Sequence, residues 1–267
     1  MGAHDVADAD PRAAPPGESP GDSTVHLLGG PYVTRNGLRL EVPEGSKRLL
    51  AFLAFRRGRV ERCHAAGTLW PSVEDRRAAG NLRSALWRLR GAGIDVLEAD
   101  KRSMGLRQDV AVDVYEIAEW ASRVVGRCPR PGDLALRRPL ADALDLLPGC
   151  YDDWAIIERE RMRQRMLHAM EALSRALTAM GRHGEAVEAA MTAIVAEPLR
   201  ESAQRVLLEA HLAESNLIEA RRDFLAYRNL VRRELGVEPS VELAALVRRP
   251  MSDGSHASRG ASVAATV

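Results

Sequence analysis

Along residues 74–90 the apolar positions recur at the spacing of one helical face. Leu82, Ala85, Leu86 and Leu89 fall together, while Arg83, Trp87 and Arg90 line another face, with Ser84 and Arg88 beside them. Glu74 and Asp75 stand at the positive end of this predicted helix, and Gly91 and Gly93 stop it. Upstream, short apolar runs at 25–28, 31–34 and 38–42 are separated by Gly29-Gly30 and Asn36-Gly37. Asn-Gly accepts positive φ at both turn positions, so the pattern predicts a hairpin or small antiparallel sheet. Ser46 is then the expected N-cap of a helix over 47–57, with Leu49, Leu50, Leu53 and Ala54 as its stripe and Gly58 as its stop. A short helix follows at 61–69, closed by Trp70-Pro71. Two strands at 94–98 and 103–108 flank the polar tip Ala99-Asp100-Lys101-Arg102. Sheet, three helices and hairpin, in that order, predict a winged helix-turn-helix over residues 24–112.

From 114 to 249 the pattern is helical, broken at 128–132 and 147–149, and it echoes itself. Gly181-Arg182-His183-Gly184-Glu185-Ala186 aligns with Ser215-Asn216-Leu217-Ile218-Glu219-Ala220 at an offset of 34 residues, the tetratricopeptide period. Leu173, Ala186 and Ala193, then Leu207, Ala220, Phe224 and Tyr227, supply the close-packing positions, and units of this kind bury their faces only by stacking. A non-repeat helical bundle is the alternative. Residues 1–23, with Pro11, Pro15, Pro16 and Pro20 and no apolar periodicity, read as a disordered tail, as do 251–267. The fold class is therefore mainly α: a winged helix-turn-helix at 24–112, then an all-α, tetratricopeptide-like domain at 113–250.

Charge sharpens this division. The net +1 of the 267 residues resolves into −4 for residues 1–23, +7 for 24–112 and −2 for 113–250. A basic segment of domain size inside a near-neutral chain is the electrostatic footprint of a polyanion binder. A helix docked by one face and showing guanidinium groups on the other suits a DNA major groove, where Arg binds guanine bidentately. An ordinary amphipathic helix with a solvated Arg face has the same pattern. Only Lys47 and Lys101 are lysines against 36 Arg, so genomic base composition accounts for the Arg preference better than guanine reading does, and net charge is the better guide. Cys63, Cys128 and Cys150 are scattered and form no CxxC, which points to thiols in a reducing cytoplasm. No signal-peptide order and no run of about 18 apolar residues is found, so no membrane partner is expected.

The chain resembles the Streptomyces antibiotic regulatory protein class of activators, in which a response-regulator-like winged helix precedes a bacterial transcriptional activator domain. The matching stretches are Leu69-Trp70-Pro71, residues 79–90, Asp113-Val114, residues 147–154, residues 197–201 and residues 234–239. The resemblance implies an activator that binds direct repeats in double-stranded DNA near promoters, contacts RNA polymerase and controls secondary-metabolite genes, with a homodimer on DNA. Arg83, Ser84, Trp87, Arg88 and Arg90 occupy the groove-facing stripe of the matching helix, with Arg83 and Arg88 expected to reach bases or inner phosphates. Arg76 and Arg77, at the same helix's start, and Lys101 and Arg102, at the wing tip, are expected on phosphates; a solvated hairpin tip is the alternative for the last two. Trp87 fits equally over a sugar or thymine methyl and over a junction with the wing or the second domain.

Cys63-His64 departs from the family pattern. Without further ligands at zinc spacing it reads as a semi-buried helix position, and no metal is assigned. His168 and His211 lie at helical packing spacings. No phosphate loop or HExxH occurs and no GxSxG elbow is read, the string Gly17-Glu18-Ser19-Pro20-Gly21 lying in the proline-rich tail and not at a strand-to-helix turn, so no enzyme, cofactor or nucleotide-binding module is expected, and no receiver segment is read before the winged helix. A protein-interaction scaffold, with the winged helix as a docking surface, is the rival reading, but it has no need of the +7 segment.

Overall fold

Asn36 and Gly37 take φ of 51° and 75°, and the tight turn they make pairs β2 (Tyr32–Arg35) antiparallel with β3 (Leu38–Glu41) from Arg35 opposite Leu38. The structure is a computed structural model and describes residues 23–135 and 146–248. Among these, 23–120 and 146–164 form one compact unit, and 121–135 and 165–248 a second. The tails read as disordered lie outside the described residues, except Ser23, which opens β1 (Ser23–His26).

In the first unit β1 pairs antiparallel with β2 and parallel with β7 (Ala111–Val112), giving the order β3-β2-β1-β7. Three helices follow: α1 (Glu44–Phe55), α2 (Arg62–Leu69) and α3 (Asp75–Gly91). A second sheet, β4-β6-β5, joins β4 (Val60–Glu61) to the wing hairpin β5 (Leu97–Ala99) and β6 (Ser103–Leu106). The winged helix-turn-helix is thus present. Leu49, Phe52, Leu53, Leu69, Leu82, Ala85 and Met104 meet in one buried cluster, so the α3 stripe packs as its spacing requires.

Local predictions changed in three places. Ser46 caps nothing: α1 starts after Pro43, whose fixed φ suits a helix entry, and the buried Ser46 hydroxyl instead donates to the Ala85 carbonyl of α3 at 2.8 Å. The first wing strand begins at Leu97, where its pairing with β6 starts opposite Leu106; Ile94 and Val96, buried on either side of exposed Asp95, alternate as a strand does but precede that ladder. The two-residue strands β4 and β7 were not predicted.

Helix α4 (Asp113–Val125) begins in this unit. The Asp113 carboxylate accepts from the Leu27 amide at 3.0 Å and the Leu28 amide at 3.2 Å, while the Tyr115 hydroxyl donates to the Ala54 carbonyl. Residues 146–164 return to it. Leu146 bridges to Leu28, Arg48 pairs with Asp152, and Trp154 meets the Phe52 ring edge-on at 5.4 Å. Compactness therefore divides the chain at other points than the composition shift at 112/113.

The second unit takes the later part of α5 (Asp153–Ala179) with α6 (His183–Ala196), α7 (Glu201–Ala213), α8 (Leu217–Leu235) and α9 (Val241–Arg248). The echoed positions Gly181 and Ser215 both turn with left-handed backbone, φ 75° and 66°. Ala186, Ala189, Ala190 and Ala193 give α6 a buried small-residue face, which lets its neighbours approach closely. Leu173, Leu207, Ala220 and Tyr227 are buried and Phe224 is half-buried, as their repeat positions require. Glu171, only 3% exposed, accepts from Arg200 at 2.5 Å and from Ser202 at 2.6 Å, pinning the start of α7. Of the two histidines, His211 packs, 3.2 Å from Asp223, whereas His168 is exposed because Met166, Leu167 and Ala169 already fill the inward positions.

Candidate nucleic-acid interface

Helix α3 is held from behind and open in front. Ala78, Leu82, Ala85 and Leu89 are buried, while Arg76, Arg77, Arg83, Ser84, Trp87, Arg88 and Arg90 are all exposed. Burying the apolar stripe at 3.6 periodicity forces the cations outward, so this array follows from the same pattern that fixes the core. Trp87 is 74% exposed, which removes the reading in which its indole closes a junction with the wing. Arg88 is not wholly free: Nη1 donates to the Gly45 carbonyl at 3.2 Å, tying the last turns of α3 to α1. With Arg90 it also places positive charge at the helix C-terminus, where the dipole favours cations.

Beside this face, α2 and α3 leave a groove of about 490 Å³ walled by Arg62, Arg76 and Arg83 against the single acid Asp75. The wing tip is built around Asp100. Its carboxylate accepts from the Arg102 amide at 2.7 Å and the Ser103 amide at 2.8 Å, bonds that hold its pKa down to about 2. Arg59 braces the same turn, 2.6 Å from Asp100 and 3.1 Å from Glu98, and Arg62 donates to the Asp100 carbonyl at 3.1 Å. Lys101 and Arg102 are thereby presented, exposed, on a fixed turn. The structure places α2, α3 and wing cations in one unit, but Arg88 leans back toward α1 instead of joining Arg83.

Sequence reasoning missed Arg59 and Arg62. Each acts through a wing turn about 40 residues later, and their only local signal was position at either end of Val60-Glu61. Cys63 and His64 are exposed, not semi-buried, because Ala65, Ala66 and Leu69 are the α2 residues that face the core.

Residues 127–249 match the bacterial transcriptional activator domain family. The regulatory protein AfsR of Streptomyces griseus is 28% identical over 217 residues, covering 76% of this chain and 22% of that protein. Its counterpart in Streptomyces coelicolor is 28% identical over 243 residues, covering 87% and 24%. The chain thus spans less than a quarter of the length of these relatives. Among solved structures, Mycobacterium tuberculosis EmbR, in complex with a low-affinity phosphopeptide, superposes with a TM-score of 0.63 at 20% identity, over 85% of this chain and 64% of that one. That likeness concerns the fold.

Proposed function

We propose, on the premise that the chain is a transcriptional regulator of the Streptomyces antibiotic regulatory protein class with a bacterial transcriptional activator domain at 127–249, that it binds double-stranded DNA in a sequence-specific manner. The observation that carries this reading is the exposed cationic face of α3 in a segment of net +7. In this reading Arg83, Ser84 and Trp87 enter the major groove, and Arg83 reads a base edge. Arg76, Arg77, Lys101 and Arg102 neutralise phosphates and set register without specifying sequence. Arg88 and Arg90 lie at the rim, Arg88 exchanging its bond to Gly45 for a phosphate.

The same reading makes the protein an activator on direct repeats near promoters, bound as a homodimer and touching RNA polymerase through its helical repeats, in the cytoplasm and without catalysis. No helix among the described residues is long and apolar enough to cross a membrane. Genome-wide binding of the tagged protein in its host, followed by gel shift of enriched sites against shuffled DNA, tests the proposal. Short direct repeats enriched near promoters are expected. Equal retention of shuffled DNA would overturn it in favour of a protein scaffold.

A further inference from the structure

The turn that ends α1 carries two guanidinium groups with no carboxylate partner among the described residues, those of Arg56 and Arg57. The Arg56 group lies 5.3 Å from the centroid of the Phe52 ring, and the Arg57 group 4.3 Å from that of Tyr115. An arginine held against a ring face loses little freedom and keeps its N–H edge for an oxyanion that accepts two parallel bonds. Both side chains line a cleft of about 820 Å³ bounded by this turn, the start of α2 and the second turn of α5. Its acids are already engaged: Glu158 pairs with Arg161 at 2.8 Å, and Glu61 accepts from the Cys63 thiol at 3.5 Å. Arg59 and the exposed ring of His64 complete a wall in which cations outnumber acids two to one.

We propose that this cleft binds a phosphate-bearing anion, with Arg56 and Arg57 as bidentate donors. The phosphate has two sources, a free nucleoside polyphosphate and the backbone of duplex running past the α3 interface. The second source rests on the DNA-binding reading above; the first does not.

Calorimetric titration of the full chain with inorganic pyrophosphate and with ATP, at low salt, tests it beside gel shifts on duplexes of increasing flank length. With a free anion as ligand, both probes bind, and R56Q/R57Q weakens them about tenfold or more while leaving the affinity of a short duplex unchanged. With DNA as the source, neither probe binds, and R56Q/R57Q lowers the salt slope by about two on long duplexes only. Neither probe binding, together with DNA affinities indifferent to the substitutions, would overturn the proposal. Circular dichroism checks the fold of the double variant. If it does not fold, R56Q and R57Q are made singly and read in the same way, each with about half the change in salt slope. R83A is expected to retain pyrophosphate binding, so failure of the groove reading and failure of the cleft are separable.

Discussion

Ser215 occupies backbone that costs an L residue on the order of 1 kcal/mol, and its counterpart one repeat earlier, Gly181, occupies the same conformation freely. No neighbour crowds Gly181 within 4 Å, so the difference lies in the backbone alone. Ser215→Gly is expected to raise stability by about 0.5–1 kcal/mol and Gly181→Ser to lower it similarly, as read from urea midpoints. A second single-residue effect sits at Asp133. Arg123 grips its carboxylate at 2.8 and 2.9 Å and the Arg130 amide adds a bond, holding its pKa at about 2, below the usual 3.8. A depressed carboxylate pKa stabilises the fold fully above the unfolded value and loses that contribution as pH falls toward the folded one. Stability should therefore decline between about pH 4 and pH 2, and Asp133→Asn should flatten that part of the pH profile.

Among elements, the wing depends on a missing methyl. A Cβ on Gly105 of β6 would stand 2.9 Å from the Gly58 carbonyl oxygen, a backbone atom that cannot swing aside. Gly105→Ala is expected to cost about 1–3 kcal/mol in thermal unfolding and to weaken DNA binding by displacing Lys101 and Arg102. This register was not legible in sequence, because β4 is two residues long and shows no alternation to read. The long helices were legible, since a stripe such as Leu82, Ala85 and Leu89 repeats enough times to define a face. Ser46 misled because its hydroxyl serves a helix distant in sequence, which no local rule registers. The candidate site divides in the same way: the α3 cations follow from periodicity, while the bracing by Arg59 and Arg62 needs the wing already folded.

For the whole molecule, the concentration of charge in one segment sets how affinity and specificity separate. Lys101→Ala is expected to weaken binding to all sequences alike and to reduce the salt slope by about one, and Arg83→Ala to lower the ratio of cognate to random affinity about 10- to 100-fold. Affinities measured across a salt series on both DNAs decide this. If Arg83→Ala leaves the ratio untouched, α3 is not the reading element.

The return of residues 146–164 to the first unit, with Trp154 against Phe52, bears on how such proteins can be taken apart and recombined. Because the chain passes from the first unit to the second more than once, no single scission yields two intact halves. A fragment ending at Val112 leaves the Phe52 and Phe55 rings without the indole that covers them. Grafting the winged helix onto another effector module therefore requires carrying the Leu146–Gln164 stretch along with it, and a gene fusion joined at the compositional boundary would begin life with an open seam.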